Sequence, residues 1–103
     1  MGGRVALVTG ASRGIGAAVA RVLARDGHRV ALCWARDEAG ASAVCADIET
    51  AGGDALSLCA DVTDPSALDA AFATIEERWG PVEVLVNNAG LTRDGLLLRM
   101  DDD

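Results

Sequence analysis

The chain contains no tyrosine and no lysine, and its nine basic residues are all arginine. Chemistry that needs a phenol or an ε-amine therefore has no source among these residues. Histidine is nearly absent as well. His28, the single one, lies in a short Gly27-His28-Arg29 turn, where a surface role is expected rather than a catalytic one. No run of basic residues occurs and the formal net charge is -7, which argues against nucleic acid or an anionic membrane surface as a partner. A phosphorylated ligand stays open, because local arginines decide that. No apolar run is long enough to span a bilayer, and no signal-peptide pattern opens the chain. Cys33, Cys45 and Cys59 are odd in number and lack C-x-x-C spacing. Buried, reduced thiols in a cytoplasmic protein are expected, with no metal site.

What is present is apolar and regularly punctuated. Half of the 103 residues are hydrophobic, and the mean hydropathy is +0.23, enough to build a core in one domain spanning residues 1–103. Residues 4–8 form a nearly continuous apolar run, as in a strand covered on both faces. A helix follows from Ala17 to Asp26, with Ile15, Val19, Val22 and Leu23 at helical spacing and Gly27 after its last turn. Residues 29–34 read as a second strand and residues 37–51 as a second helix stopped by Gly52-Gly53. Residues 55–60 read as a third strand. Asp64 is a natural N-cap and Pro65 suits the first position of a third helix, whose apolar face is Leu68, Phe72, Ile75 and Trp79. Residues 82–86 make a fourth strand, and residues 96–100 begin something helical.

Strands and helices alternating through short loops predict an α/β fold, a Rossmann-like doubly wound parallel sheet with helices on both faces. Only the first four strands and their helices are represented. With strand order 3-2-1-4, strand four is left as an apolar edge that a stable domain would cover, which suggests a fragment.

The chain is organised around residues 9–16, where a strand passes through a glycine-rich turn into a helix. Such a turn aims unpaired backbone N–H groups and the positive end of a helix at one spot, which suits a phosphate. Gly10 permits a sharp turn, Gly14 keeps side-chain bulk away from a ligand, and Gly16 lets the helix pack against the strand. The spacing Gly-x-x-x-Gly-x-Gly differs from the G-x-G-x-x-G fingerprint and lacks a P-loop ending. A plain glycine turn without a ligand remains the alternative. Ligands of open parallel sheets sit beyond the carboxyl ends of the strands. That edge also carries Arg36, Asp37, Asp61, Val62 and the segment 87–90. Arg36 stands where an acidic residue would hold the ribose 2′-hydroxyl of NAD, and Arg13 reaches the same space. Two guanidinium groups suit a 2′-phosphate and favour NADP over NAD, although both arginines are equally readable as solvated surface charges. Asp61 would accept a hydrogen bond from an exocyclic amine such as adenine's while Val62 flanks the ring; the alternative is a carboxylate that caps the next helix. Asn87 and Asn88 can tie neighbouring loops together, and Ala89 and Gly90 leave room for a flat ligand; a polar turn is the plainer account.

Thr9-Gly10-Ala11-Ser12-Arg13-Gly14-Ile15-Gly16, then Asp61-Val62, then Asn87-Asn88-Ala89-Gly90, taken together and in this order, resemble the short-chain dehydrogenase/reductase family. The run Leu91-Thr92-Arg93-Asp94-Gly95-Leu96-Leu97-Leu98-Arg99-Met100 is similar to that of the 3-oxoacyl-[acyl-carrier-protein] reductases within it. The resemblance implies that Gly10, Ser12, Arg13 and Ile15 line the NADPH phosphates and ribose. It places Asp61 and Val62 at the adenine, and Asn88, Ala89 and Gly90 at the ribose near the nicotinamide. It implies a Rossmann fold and a parent enzyme reducing 3-oxoacyl thioesters, typically as a tetramer. The family's catalytic Ser, Tyr and Lys come from the second half of its domain, so this chain corresponds to the cofactor-binding part alone and should be inactive by itself. Another reductase of the family, acting on a polyketide, sugar or steroid carbonyl, or a non-catalytic NADP-binding module are the alternatives.

Overall fold

In the computed structural model the described residues are 3–10, 14–61, 63–88 and 97–100. They form β1 (Val5–Thr9), α1 (Gly14–Arg25), β2 (Arg29–Trp34), α2 (Glu38–Thr50), β3 (Asp54–Cys59), α3 (Pro65–Trp79), β4 (Val84–Asn87) and β5 (Leu97–Met100). The strands make one sheet in the order β3-β2-β1-β4-β5. β1 pairs in parallel with β2 from Val5↔Arg29 to Thr9↔Cys33, and with β4 from Ala6↔Val84 to Thr9↔Asn87. The carboxyl ends of the three strands are therefore level, and the chain reverses its direction of travel across the sheet between β1 and β4.

Strand alternation sends the two faces to different helices. Ala6, Val8, Val30, Leu32, Val84 and Val86 pack with Ala17 and Ala20 of α1 and Val44 and Ile48 of α2. On the other face Val5, Leu7, Ala31 and Cys33 meet Ala71 and Ile75 of α3. Helices thus cover both faces, as a parallel sheet requires. Asp37 caps α2 by accepting from the Gly40 N–H at 2.9 Å, and Asp64 caps α3 by accepting from Ser66 N–H at 3.0 Å, with Pro65 at the first helical position. Trp34 Nε1 donates to Ser57 Oγ at 2.9 Å and ties β2 to β3.

Two expectations are corrected. Residues 97–100 were expected to begin a helix; they form β5, antiparallel to β4 from Val84↔Met100 to Asn87↔Leu97. The edge of β4 is thereby paired and not open. The backbone N–H and C=O groups along that edge favour an extended apolar partner over an isolated turn of helix. Second, the apolar spacing in α1 marks its buried face only in part: Val19 and Leu23 pack against the core, but Ile15 and Val22 do not. Ile15 is 55% and Val22 52% exposed, whereas Gly16, Ala17 and Ala20 are buried. The small residues of the helix are the ones fully buried against the sheet, with Val19 and Leu23 partly buried beside them. No helix among the described residues is long and apolar enough to cross a membrane.

Candidate functional site

At the reversal point between β1 and β4 the backbone and side chains interlock. The Thr9 hydroxyl donates to Asn87 Oδ1 at 3.1 Å, and Asn88 Nδ2 donates to the Gly10 carbonyl at 2.9 Å. The two amides therefore fasten the end of β4 to the glycine turn, which answers the question the sequence left open at this pair. Gly10 and Gly14 adopt φ of 61° and 63°, the left-handed region that side chains resist. Among the described residues, its chain neighbours apart, no heavy atom lies within 4 Å of where a Cβ on Gly14 would stand. Gly16 is the opposite case. A Cβ there would lie 2.2 Å from the Gly10 carbonyl oxygen and 2.7 Å from Asn88 Nδ2. Packing thus excludes bulk at Gly16, beneath the turn. No acidic residue occupies the first turn of α1. A helix N-terminus without acidic residues suits an anion. Close to the turn the Asn88 Oδ1 atom is buried and has no hydrogen-bond partner among the described residues.

The flanks of this crevice carry the charged candidates. Arg36 is exposed just beyond β2, next to Asp37, whose carboxylate is committed to the α2 cap. Asp61 is exposed just beyond β3. Its Oδ1 accepts from the Thr63 hydroxyl at 2.7 Å and from the Thr63 N–H at 2.9 Å. These bonds, the hydroxyl's first, hold its carboxyl below the ordinary value of 3.8, and the Arg36 charge adds to them. Capping of α3, the other use envisaged for Asp61, belongs to Asp64.

The structure thus brings Gly10, Gly14, Gly16 and Asn88 together, with exposed Ile15 on the first turn of α1 and Arg36 and Asp61 at the flank. Ser12, Arg13, Val62, Ala89 and Gly90 lie outside the described residues. Two residues that sequence reasoning missed are Thr9 and Thr63. The signal for Thr63 was available, since Asp-x-Thr is a spacing at which a hydroxyl returns to the carboxylate. Thr9 gave none, because its partner is 78 residues away. A cleft of about 660 Å³ opens at the opposite end of the strands, lined among others by Arg21, Arg25, His28 and Asp47. It suits an anion poorly, because Arg21 is already paired with Asp47 at 2.8 Å and the C-terminal ends of α1 and α2 turn carbonyls toward it. Cys33 is equally remote from reactivity: burial, and secondarily Cys59, pushes its thiol up to about 11.

A doubly wound sheet with a glycine turn and paired amides meeting at its reversal point places this protein in the Rossmann class of α/β domains. Within that class the chain belongs to the short chain dehydrogenase family, a family of oxidoreductases whose model matches residues 4–103. It is 46% identical over 101 residues to the 3-oxoacyl-[acyl-carrier-protein] reductase FabG of Vibrio harveyi, and 48% identical over 101 residues to that of Escherichia coli. Each comparison covers 98% of this chain and 40% of the relative, so the chain spans about two fifths of their length. Among solved structures, a dehydrogenase/reductase from Sinorhizobium meliloti superposes with a TM-score of 0.83 at 44% identity, covering 88% of this chain and 36% of the other. A short chain dehydrogenase from Burkholderia cenocepacia, solved in complex with NADP, gives 0.82 at 47% identity, covering 91% and 38%.

Proposed function

We propose that the crevice between β1 and β4 binds NADP(H), and that this chain is the cofactor-binding part, residues 1–103, of a reductase acting on 3-oxoacyl thioesters of acyl carrier protein. The observation that carries the reading is the glycine turn itself: a Cβ at Gly16 would strike the Gly10 carbonyl, while at Gly14 none of the described residues beyond its chain neighbours comes within 4 Å. That is a cradle for a pyrophosphate at a helix N-terminus. In this reading Gly10, Ser12, Arg13, Gly14, Ile15 and Gly16 take the phosphates and adjoining ribose. Arg36, with Arg13, pairs with the 2′-phosphate through charge-assisted hydrogen bonds. Asp61 and Val62 hold the adenine, and Asn88, Ala89 and Gly90 the ribose near the nicotinamide. Relatives named as 3-oxoacyl reductases and a structural neighbour solved with NADP support both parts of the proposal.

Bound NADPH supplies a hydride to the carbonyl carbon. The residues of this chain bind and orient it; with neither tyrosine nor lysine among them, they offer no general acid of the kind the family uses. The whole protein would thus carry catalysis on residues outside this chain, in the cytoplasm and as a homotetramer. The second reading is a module that binds NADP without turning it over.

A chimera separates the two. When this chain replaces the matching two fifths of the Escherichia coli FabG relative, the product is expected to oxidise NADPH in the presence of a 3-oxoacyl thioester, while the chain alone consumes none. A folded chimera that binds NADPH without reducing the thioester would contradict the reductase reading. Consumption of NADPH by the chain alone would contradict the assignment of catalysis to residues outside it.

A further inference from the structure

Asp61 is held more firmly than an exposed aspartate needs to be. Ala60 before it is buried and donates its N–H to the Trp34 carbonyl at 2.9 Å, and the Asp61 carbonyl accepts from Asp64 N–H at 2.9 Å, closing a turn. Within that turn both donors of Thr63 converge on one carboxylate oxygen, Oδ1. Among the described residues Oδ2 accepts nothing. A carboxylate oxygen offers about two lone-pair sites. Oδ1 is therefore saturated, and Oδ2 is the acceptor left for a ligand. Nor is the carboxylate needed by α3, whose cap is Asp64.

We propose that Thr63 is a positioning residue for cofactor selection: its hydroxyl fixes the Asp61 carboxylate so that Oδ2 meets the exocyclic amine of a purine. The proposal rests on the reading of Asp61 as the purine contact given above. Its physical content is preorganisation. A carboxylate free to rotate must be ordered when the ligand arrives, whereas one already held by two bonds is not. It also confers a chemical preference. An ionised carboxylate only accepts, so it favours a 6-amino purine and repels a 6-oxo purine, whose oxygen would face it without a hydrogen between. The lowered pKa of Asp61 keeps this acceptor ionised throughout the neutral range.

The test is equilibrium binding of NADPH and of its deamino counterpart, in which hypoxanthine replaces adenine, followed by nicotinamide fluorescence. The unaltered chain is expected to bind NADPH more tightly than the deamino form, by roughly three- to tenfold, the net worth of one solvent-exposed hydrogen bond. Thr63→Ser keeps the hydroxyl and should keep that ratio. Thr63→Val, which is nearly isosteric, should bring it close to one by weakening NADPH more than the deamino form. Thr63→Ala removes the same bond and is read in the same way should the valine variant not fold. A purely structural role for Thr63 would weaken both nucleotides alike and leave the ratio where it was, and that result overturns the proposal. Equal binding of the two nucleotides by the unaltered chain overturns instead the purine reading of Asp61.

Discussion

Gly16→Ala is expected to destabilise the chain by about 2–4 kcal/mol and to abolish nucleotide binding, a disproportionate effect for one methyl group. The new Cβ would stand 2.2 Å from the Gly10 carbonyl oxygen, so either the turn or the whole of α1 must move. Moving the turn breaks the bond from Asn88 Nδ2 to Gly10, and with it the link between β4 and the proposed phosphate cradle. Moving α1 lifts Ala17 and Ala20 off Val8 and Val86 in the core. For a domain of this size each kcal/mol lowers the unfolding midpoint by roughly 4–8 °C, so thermal denaturation resolves the effect easily. Gly14→Ala is the control. There a methyl group meets no heavy atom of the described residues within 4 Å, its chain neighbours apart, and the φ of 63° is what resists it. Its cost should be about 1 kcal/mol. A Gly16→Ala chain melting with the unaltered protein would contradict the packing described.

Leu32→Ala should cost about 2–5 kcal/mol, the range for a leucine removed from a core that cannot collapse around the cavity. Leu32 is fully buried in the middle of β2, in the cluster that contains Val44 and Ile48 of α2. Small domains have about 5–15 kcal/mol in all, so this one change takes much of the margin. Val22→Ala removes a side chain of the same class and should change stability by no more than about 0.5 kcal/mol, because Val22 is 52% exposed. Urea denaturation of the two variants measures the contrast. Equal losses would mean that α1 presents a different face to the sheet.

That contrast marks where the sequence is informative and where it is not. Local chemistry was legible: the Asp64-Pro65 start of α3, the strand at residues 29–34 and the order of alternating elements all depend on neighbours within a few residues. The fold class followed from that alternation together with the handedness of parallel crossovers. The buried face of α1 was legible only in part: the periodicity found Val19 and Leu23, which pack against the core, but it also favoured exposed Ile15 and Val22 and missed the fully buried Gly16, Ala17 and Ala20. Residues 97–100 read as helical for a related reason. A run of leucines suits a helix or a strand, and pairing with the edge of β4, which the local pattern does not encode, decides between them. Within the candidate site, the roles of Gly10 and Gly16 were readable from the turn. The Asn88 to Gly10 bond was readable only as a possibility for two adjacent amides, since the order of the sheet is what makes those segments neighbours.

The central claim is that the carboxyl edge of this sheet holds a dinucleotide carrying a 2′-phosphate, and parallel titrations of the chain with NADPH and with NADH test it most directly. Saturable binding of NADPH, tighter than that of NADH by about tenfold or more, corresponds to at least about 1.4 kcal/mol from the Arg36 side of the crevice and is the result expected. A folded chain that binds neither nucleotide, or binds NADH as well as NADPH, would contradict it.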